Sequence, residues 1–222
     1  MFDEKGFLVR DESKQLVVFQ GDSITDMCRT REYDALLGCS YATYISSAAV
    51  INCEKKVQCL NRAISGDRIV DLLARWKRDC LNLKPDIVSI LIGVNDMWHE
   101  ILTGNGVDAE EFEDVYDLLL SLTERKNPGT KFVLMEPFLL HGHATNEHWD
   151  YMMAEIKLRA EITKKMAEKH NAIFVPLQAL LQESAEKYGA GEVSQDGVHP
   201  NALGHQLIAR QWLNTVWPDS FH

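Results

Sequence analysis

Five short apolar runs alternate along the chain with longer amphipathic stretches, and this alternation constrains the fold more than any other feature. A strand covered on both faces needs a continuous apolar run, whereas the helix that crosses back over it needs only one apolar stripe. The runs are Leu16 to Gln20, Val57 to Ile64, Ile87 to Ile92, Phe132 to Glu136 and Ala172 to Val175, each rich in Val, Ile, Leu or Phe. Helical patterns occupy Tyr41 to Val50, Ile69 to Cys80, Glu110 to Lys126, Trp149 to His170, Leu177 to Lys187 and Ala202 to Trp217. Asp108 with Glu111 three residues on reads as a helix start, and Pro128-Gly129 as the stop before the fourth run. The pattern predicts an α/β protein with a parallel sheet. No repeat, low-complexity tract or linker-like segment interrupts it, and 222 residues at about 150 per domain predict a single domain over residues 1–222.

Composition narrows the class of partner. Lys and Arg total 23 against 33 Asp and Glu, a formal net charge of -10 with no basic block, which argues against nucleic acid. Met1 to Gln15 mixes charged with apolar residues and holds no run long enough for an export signal or membrane span, so a cytoplasmic location and no membrane partner are expected. The five cysteines, Cys28, Cys39, Cys53, Cys59 and Cys80, form no C-x-x-C pair and are expected as reduced core thiols. Trp212 and Trp217 in the last helical stretch are candidates for the core or for a homo-oligomer contact.

In open parallel sheets reactive groups gather at the carboxyl ends of the strands. There the sequence places Gly21-Asp22-Ser23-Ile24-Thr25, Ser65-Gly66-Asp67 and Gly93-Val94-Asn95-Asp96, and before the last helix it places Asp196-Gly197-Val198-His199-Pro200. Ser23 at a strand-to-helix turn suits a nucleophile or equally a helix cap, and Thr25 rules out a G-x-S-x-G elbow. Gly66 allows close backbone approach or a left-handed turn, and Asn95 offers an amide to an oxyanion or closes a turn. Asp196 and His199, three apart, can face one site with the carboxylate orienting the imidazole, or can serve as a cap beside a surface histidine.

Together the four segments resemble the SGNH hydrolases, the GDSL-type esterases and lipases, whose blocks carry Ser, Gly, Asn and His in that order. The resemblance runs from Leu16 to Trp217. It implies a flavodoxin-like α/β/α sandwich with a five-stranded sheet in the order 2-1-3-4-5. It implies Ser23 as nucleophile, His199 as base, Asp196 as its orienter, and an oxyanion hole from the N–H groups of Ser23 and Gly66 with the Asn95 amide. Two positions depart from the pattern: Ile24-Thr25 replaces the family's Leu, and Ala63 stands where glycine is frequent.

The segments Gly21 to Asp26, Ile64 to Arg68, Asp71-Leu72, Arg75-Trp76, Val88 to Trp98 and Glu136-Pro137-Phe138 are most similar to the cytoplasmic branch that includes acetyl esterases of xylo-oligosaccharides. That implies a serine esterase acting on acetyl esters of sugars, with a lysophospholipase or thioesterase of longer acyl chains as the alternative and a non-catalytic carbohydrate-binding protein as a third. Trp98 is a candidate floor for the sugar or acyl group. Arg68 is a candidate substrate ligand, or a partner of Asp67 or Asp71. His141, His143 and His148 share a polar loop without ordered ligand spacing, so neither a metal nor a cofactor is expected.

Overall fold

The computed structural model describes residue 4 and residues 9–52 and 56–220. In chain order its strands are β1 (Gln15–Gly21), β2 (Val57–Asn61), β3 (Ile87–Leu91), β4 (Lys131–Met135) and β5 (Ile173–Val175). The helices are α1 (Ser23–Asp26), α2 (Tyr41–Asn52), α3 (Ile69–Asp79), α4 (Val94–Thr103), α5 (Ala109–Lys126), α6 (Trp149–Lys169), α7 (Gln178–Tyr188), α8 (Ala190–Val193) and α9 (Ala202–Val216). All strand pairs are parallel and the order is β2-β1-β3-β4-β5, as the resemblance implies.

Successive strand residues point to opposite faces, and two helical layers divide them accordingly. Val17, Phe19, Ile87, Leu91, Val133 and Met135 enter the core that α2 and α9 complete. Val88, Ile90, Phe132 and Leu134 enter the core built with α3, α5 and the second half of α6. Buried Ser89 is a polar exception on the first face, and its hydroxyl accepts the indole N–H of Trp212 at 3.0 Å. Trp212 is therefore a core residue, fully buried between sheet and α9, and Trp217 packs edge-on against it with ring centroids 4.8 Å apart.

Because β1 lies between β2 and β3, the chain leaves it to one side and returns to the other, which opens a crevice at the carboxyl ends of β1 and β3. Gly21 pairs with Leu91, so Ser23, two residues beyond one strand, lies near Asn95, four residues beyond its neighbour.

Three expectations need correction. The β2 ladder ends at Asn61 rather than Ile64, because Asn61 Nδ2 donates to the Thr25 and Leu37 carbonyls while its Oδ1 accepts the Ala63 N–H and turns the chain. Residues 94–103 form α4, a stretch that the helical patterns of the sequence leave out. Gly93 before it and Gly104 after it bound a helix here, and the run between them is short enough to look like punctuation. Of the described cysteines, Cys59 and Cys80 are buried; Cys28 and Cys39 are exposed, since both belong to the connection between α1 and α2 rather than to a packed element. Cys53 lies outside the described residues.

Candidate active site

Ser23 opens α1 directly after β1, and Asp22 caps that helix with Oδ1 accepting the Ile24 N–H at 3.0 Å. The hydroxyl of Ser23 lies 2.7 Å from His199 Nε2, and His199 Nδ1 lies 2.6 Å from Asp196 Oδ2. The spacing of three between Asp196 and His199 works because the carboxylate folds the loop around itself: Oδ1 accepts the N–H groups of Val198 at 2.9 Å and His199 at 2.7 Å. One oxygen shapes the loop and the other is left for the imidazole.

That loop is held from two sides. Buried Ser194 accepts the Gly197 N–H at 3.0 Å, and its hydroxyl hydrogen is within reach of the His199 carbonyl at 2.9 Å and of Asp196 Oδ1 at 3.2 Å. From the other side, the segment after β4 straps across it: Leu140 N–H donates to the Gly197 carbonyl at 2.9 Å and Ala144 N–H to the Asp196 carbonyl at 3.1 Å. The two backbones approach so closely that a Cβ on Gly142 would lie 2.1 Å from the Asp196 carbonyl carbon, and one on Gly197 would lie 2.3 Å from the Leu140 oxygen. Fully buried Thr145 fixes the strap's curvature, its hydroxyl donating to the Leu140 carbonyl at 2.7 Å and accepting the Gly142 N–H at 3.0 Å.

The turn of residues 65–67 is fixed just as firmly. Asp26 Oδ2 accepts both the N–H of Ser65, at 2.8 Å, and its hydroxyl, at 3.0 Å. Asn95 Nδ2 donates to the Asp67 carbonyl at 3.0 Å, which commits one amide hydrogen and leaves the second. The Asp67 carboxylate takes Arg75 Nε at 2.7 Å. Gly66, between these anchors, has φ of +88° and open space where a Cβ would be, so Ala63 does not obstruct it.

Charge is distributed unevenly. Burial works to raise the Asp196 carboxyl, but the hydrogen bonds from the His199 ring and from two backbone N–H groups outweigh it and hold it well below the usual carboxylate range. The same bond to Asp196 raises the His199 imidazole above its ordinary value. Asp22 and Asp96 go the other way, each pushed up to about 7 by burial. Each has one oxygen that is buried with no hydrogen-bond partner.

Of the two other candidates, Trp98 is half-buried with its ring centroid 6.4 Å from that of His199. Arg68 is engaged elsewhere: its guanidinium pairs with Asp71 at 2.9 Å and donates to the Asn105 carbonyl at 2.7 Å. Of its two readings the structure shows the pairing, with Asp71 and not Asp67. Ser194 and Thr145 carry no motif of their own that separates them from ordinary loop and helix polar residues. Asp26 has a signal, since it directly follows the run Gly21 to Thr25.

A profile of the GDSL-like lipase/acylhydrolase family matches residues 19–207. The chain belongs to this family. It is 33% identical over 211 residues to an acetylxylan esterase from Geobacillus stearothermophilus, covering 92% of this chain and 94% of that protein. Its fold is similar to the crystal structure of Axe2, an acetylxylan esterase from the same organism, with a TM-score of 0.82 and 30% identity over 92% of this chain and 95% of that one. A GDSL-like lipase structure from Parabacteroides merdae gives a TM-score of 0.87 at 34% identity, over 91% and 95% of the two chains. Two further Axe2 structures are catalytic mutants in which a serine or an aspartate is replaced by alanine. This GDSL hydrolase is a carboxylic ester hydrolase.

Proposed function

We propose that this GDSL hydrolase removes acetyl groups from acetylated xylo-oligosaccharides through an acyl-enzyme on Ser23. The observation that carries the reading is the relay of Ser23 Oγ to His199 Nε2 at 2.7 Å and His199 Nδ1 to Asp196 at 2.6 Å. Neutral His199 accepts the Ser23 proton as Oγ attacks the acetyl carbonyl, and Asp196 stabilises the imidazolium that forms. The oxyanion meets the N–H groups of Ser23 and Gly66 and the second amide hydrogen of Asn95, all held before substrate arrives. His199 then protonates the departing sugar oxygen, and water repeats the cycle on the acetyl-serine with His199 again as base. Trp98, a flat apolar ring beside His199, walls the substrate. The Axe2 catalytic mutants at a serine and an aspartate support the same pair of roles for Ser23 and Asp196.

A fluorophosphonate should label Ser23 alone by mass spectrometry, and Ser23→Ala should remove both labelling and hydrolysis. The substrate side is tested with p-nitrophenyl acetate, butyrate and octanoate beside acetylated xylo-oligosaccharides. Acetate release from the sugars and a fall in kcat/KM from acetate to octanoate are expected. A rise toward octanoate with no release from sugars supports a lysophospholipase or thioesterase instead, and binding of the sugars without turnover supports a carbohydrate-binding protein.

A further inference from the structure

Ester hydrolysis makes no use of Cys28 and Cys39, two exposed free thiols at either end of the loop that joins α1 to α2. The backbone pins these two ends together. Cys39 N–H donates to the Met27 carbonyl at 2.8 Å, and that carbonyl belongs to the peptide unit leading into Cys28. In a trans peptide the oxygen lies about 2.8 Å from the next Cα, and N–Cα is about 1.5 Å, so the Cα atoms of Cys28 and Cys39 are no more than about 7 Å apart even if the path were straight. A hydrogen bond bends that path and shortens it. Gly38 reports the same closeness from the neighbouring residue: a Cβ there would lie 2.5 Å from the Met27 oxygen and 2.7 Å from the Arg29 nitrogen, the atoms flanking Cys28. A disulfide spans Cα separations of about 4.4 to 6.8 Å.

We propose that Cys28 and Cys39 form a redox-active dithiol, a modification site for low-molecular-weight disulfides. The thiolate of one cysteine attacks a sulfur of the soluble disulfide, whose S–S bond breaks and expels one thiolate that takes up a proton. The other cysteine then attacks the mixed disulfide, forms the internal S–S bond and expels the second thiol. The protein loses two electrons and two protons, and the soluble disulfide is reduced to two thiols. Among the described cysteines access selects the pair, because Cys59 and Cys80 are buried and burial pushes the Cys80 thiol up to about 12. The bond would close residues 29–38 into a ring. That loop carries Arg29, which donates to the Ala63 carbonyl at 2.6 Å, and Asp34, which pairs with Arg62, so the ring would brace the segment that leads to Gly66.

The test treats the reduced full chain with oxidised glutathione, quenches with an alkylating agent and maps the peptides. The expected product has lost two hydrogens in mass and two alkylatable thiols, joins the Cys28 and Cys39 peptides, and reverts with dithiothreitol. Cys28→Ser should instead hold glutathione stably on Cys39, and Cys39→Ser should hold it on Cys28, with ester hydrolysis unchanged in both. Glutathione on each cysteine of the unsubstituted protein with no internal bond, a bond to Cys53, Cys59 or Cys80, or no reaction would each overturn the assignment.

Discussion

Asp196 reaches the site from the loop before α9, whereas Asp22 and Asp96 lie beneath it where the chain leaves β1 and β3, and burial acts on all three. Asp196 collects two backbone N–H groups and the imidazole on its two oxygens and stays charged. Asp22 and Asp96 each accept one backbone N–H, from Ile24 and Ile69, and each is pushed up to about 7. Depth and partners act together: Asp22 and Asp96 are almost wholly buried with few donors, whereas half-buried Asp196 has several, so negative charge persists on Asp196. The consequence is directional: the charge that an imidazolium needs stands behind His199, and the floor under Ser23 tends toward neutrality.

The hardest way to break this contrast is Asp196→Asn. It should lower kcat/KM by about 10⁴, because the amide favours the wrong tautomer of His199. Asp196 raises the His199 pKa, so the acid limb of the wild-type kcat/KM profile should have its midpoint above 6.5, and in the variant it should move to lower pH. A pH–rate profile of both proteins with an unmoved limb would mean that Asp196 does not charge-pair with His199.

Asn95→Ala probes the opposite edge of the site. Steady-state kinetics should show kcat lower by about 10² to 10³ with KM little changed, since an oxyanion exists only in the transition state. If thermal stability falls and kcat survives, the bond from Asn95 to the Asp67 carbonyl is its whole role.

Thr145→Val sharpens the account of how Asp196 is placed. Removing the hydroxyl frees the strap over the Asp196–Gly197 backbone, and kcat should fall on the order of tenfold with KM steady, as expected for a small misplacement of reacting groups. The acid limb should shift down as the Asp196–His199 bond loosens, and Thr145→Ser should restore both. Equal losses in the Ser and Val variants would show that the hydroxyl does not position the loop.

The smallest effect is expected at the neutral floor. The Asp96 pKa of about 7 in the fold exceeds its unfolded value of 3.8, so the folded state binds the proton more tightly and stability falls as pH rises from about 4 to about 7. Asp96→Asn has no proton to lose, and its amide oxygen can still accept the Ile69 N–H. Its Tm relative to wild type should therefore climb over that interval; Tm curves that stay parallel from pH 4 to 8 would show Asp96 ionised throughout.

The strands were readable because burial on both faces forces continuous apolar runs, and the cores of β1, β3 and β4 coincide with those runs almost residue for residue. Ser23, Gly66, Asn95, Asp196 and His199 were readable because each sits in a short motif at a strand end or before a helix, where the fold type already says chemistry belongs. The helix that carries Asn95 was not, since residues 94–103 lie between glycines that look like turn residues until the first turn of α4 is packed. Exposure of Cys28 and Cys39 was also hidden, because an isolated cysteine has the same local signature in a core or on a loop.

From order and periodicity alone the chain determined its β-α alternation, its acidic surface and the identity of the groups that meet in the site. Only the tertiary structure decided how those groups are held. Thr145 and the Asp196 loop are about fifty residues apart in sequence, and Asp26 and Ser65 are 39 apart; no local pattern encodes such pairs. Which aspartate stays charged was likewise settled by three-dimensional packing, since a pKa depends on the donors and burial that the folded neighbours supply and not on the residue's own segment.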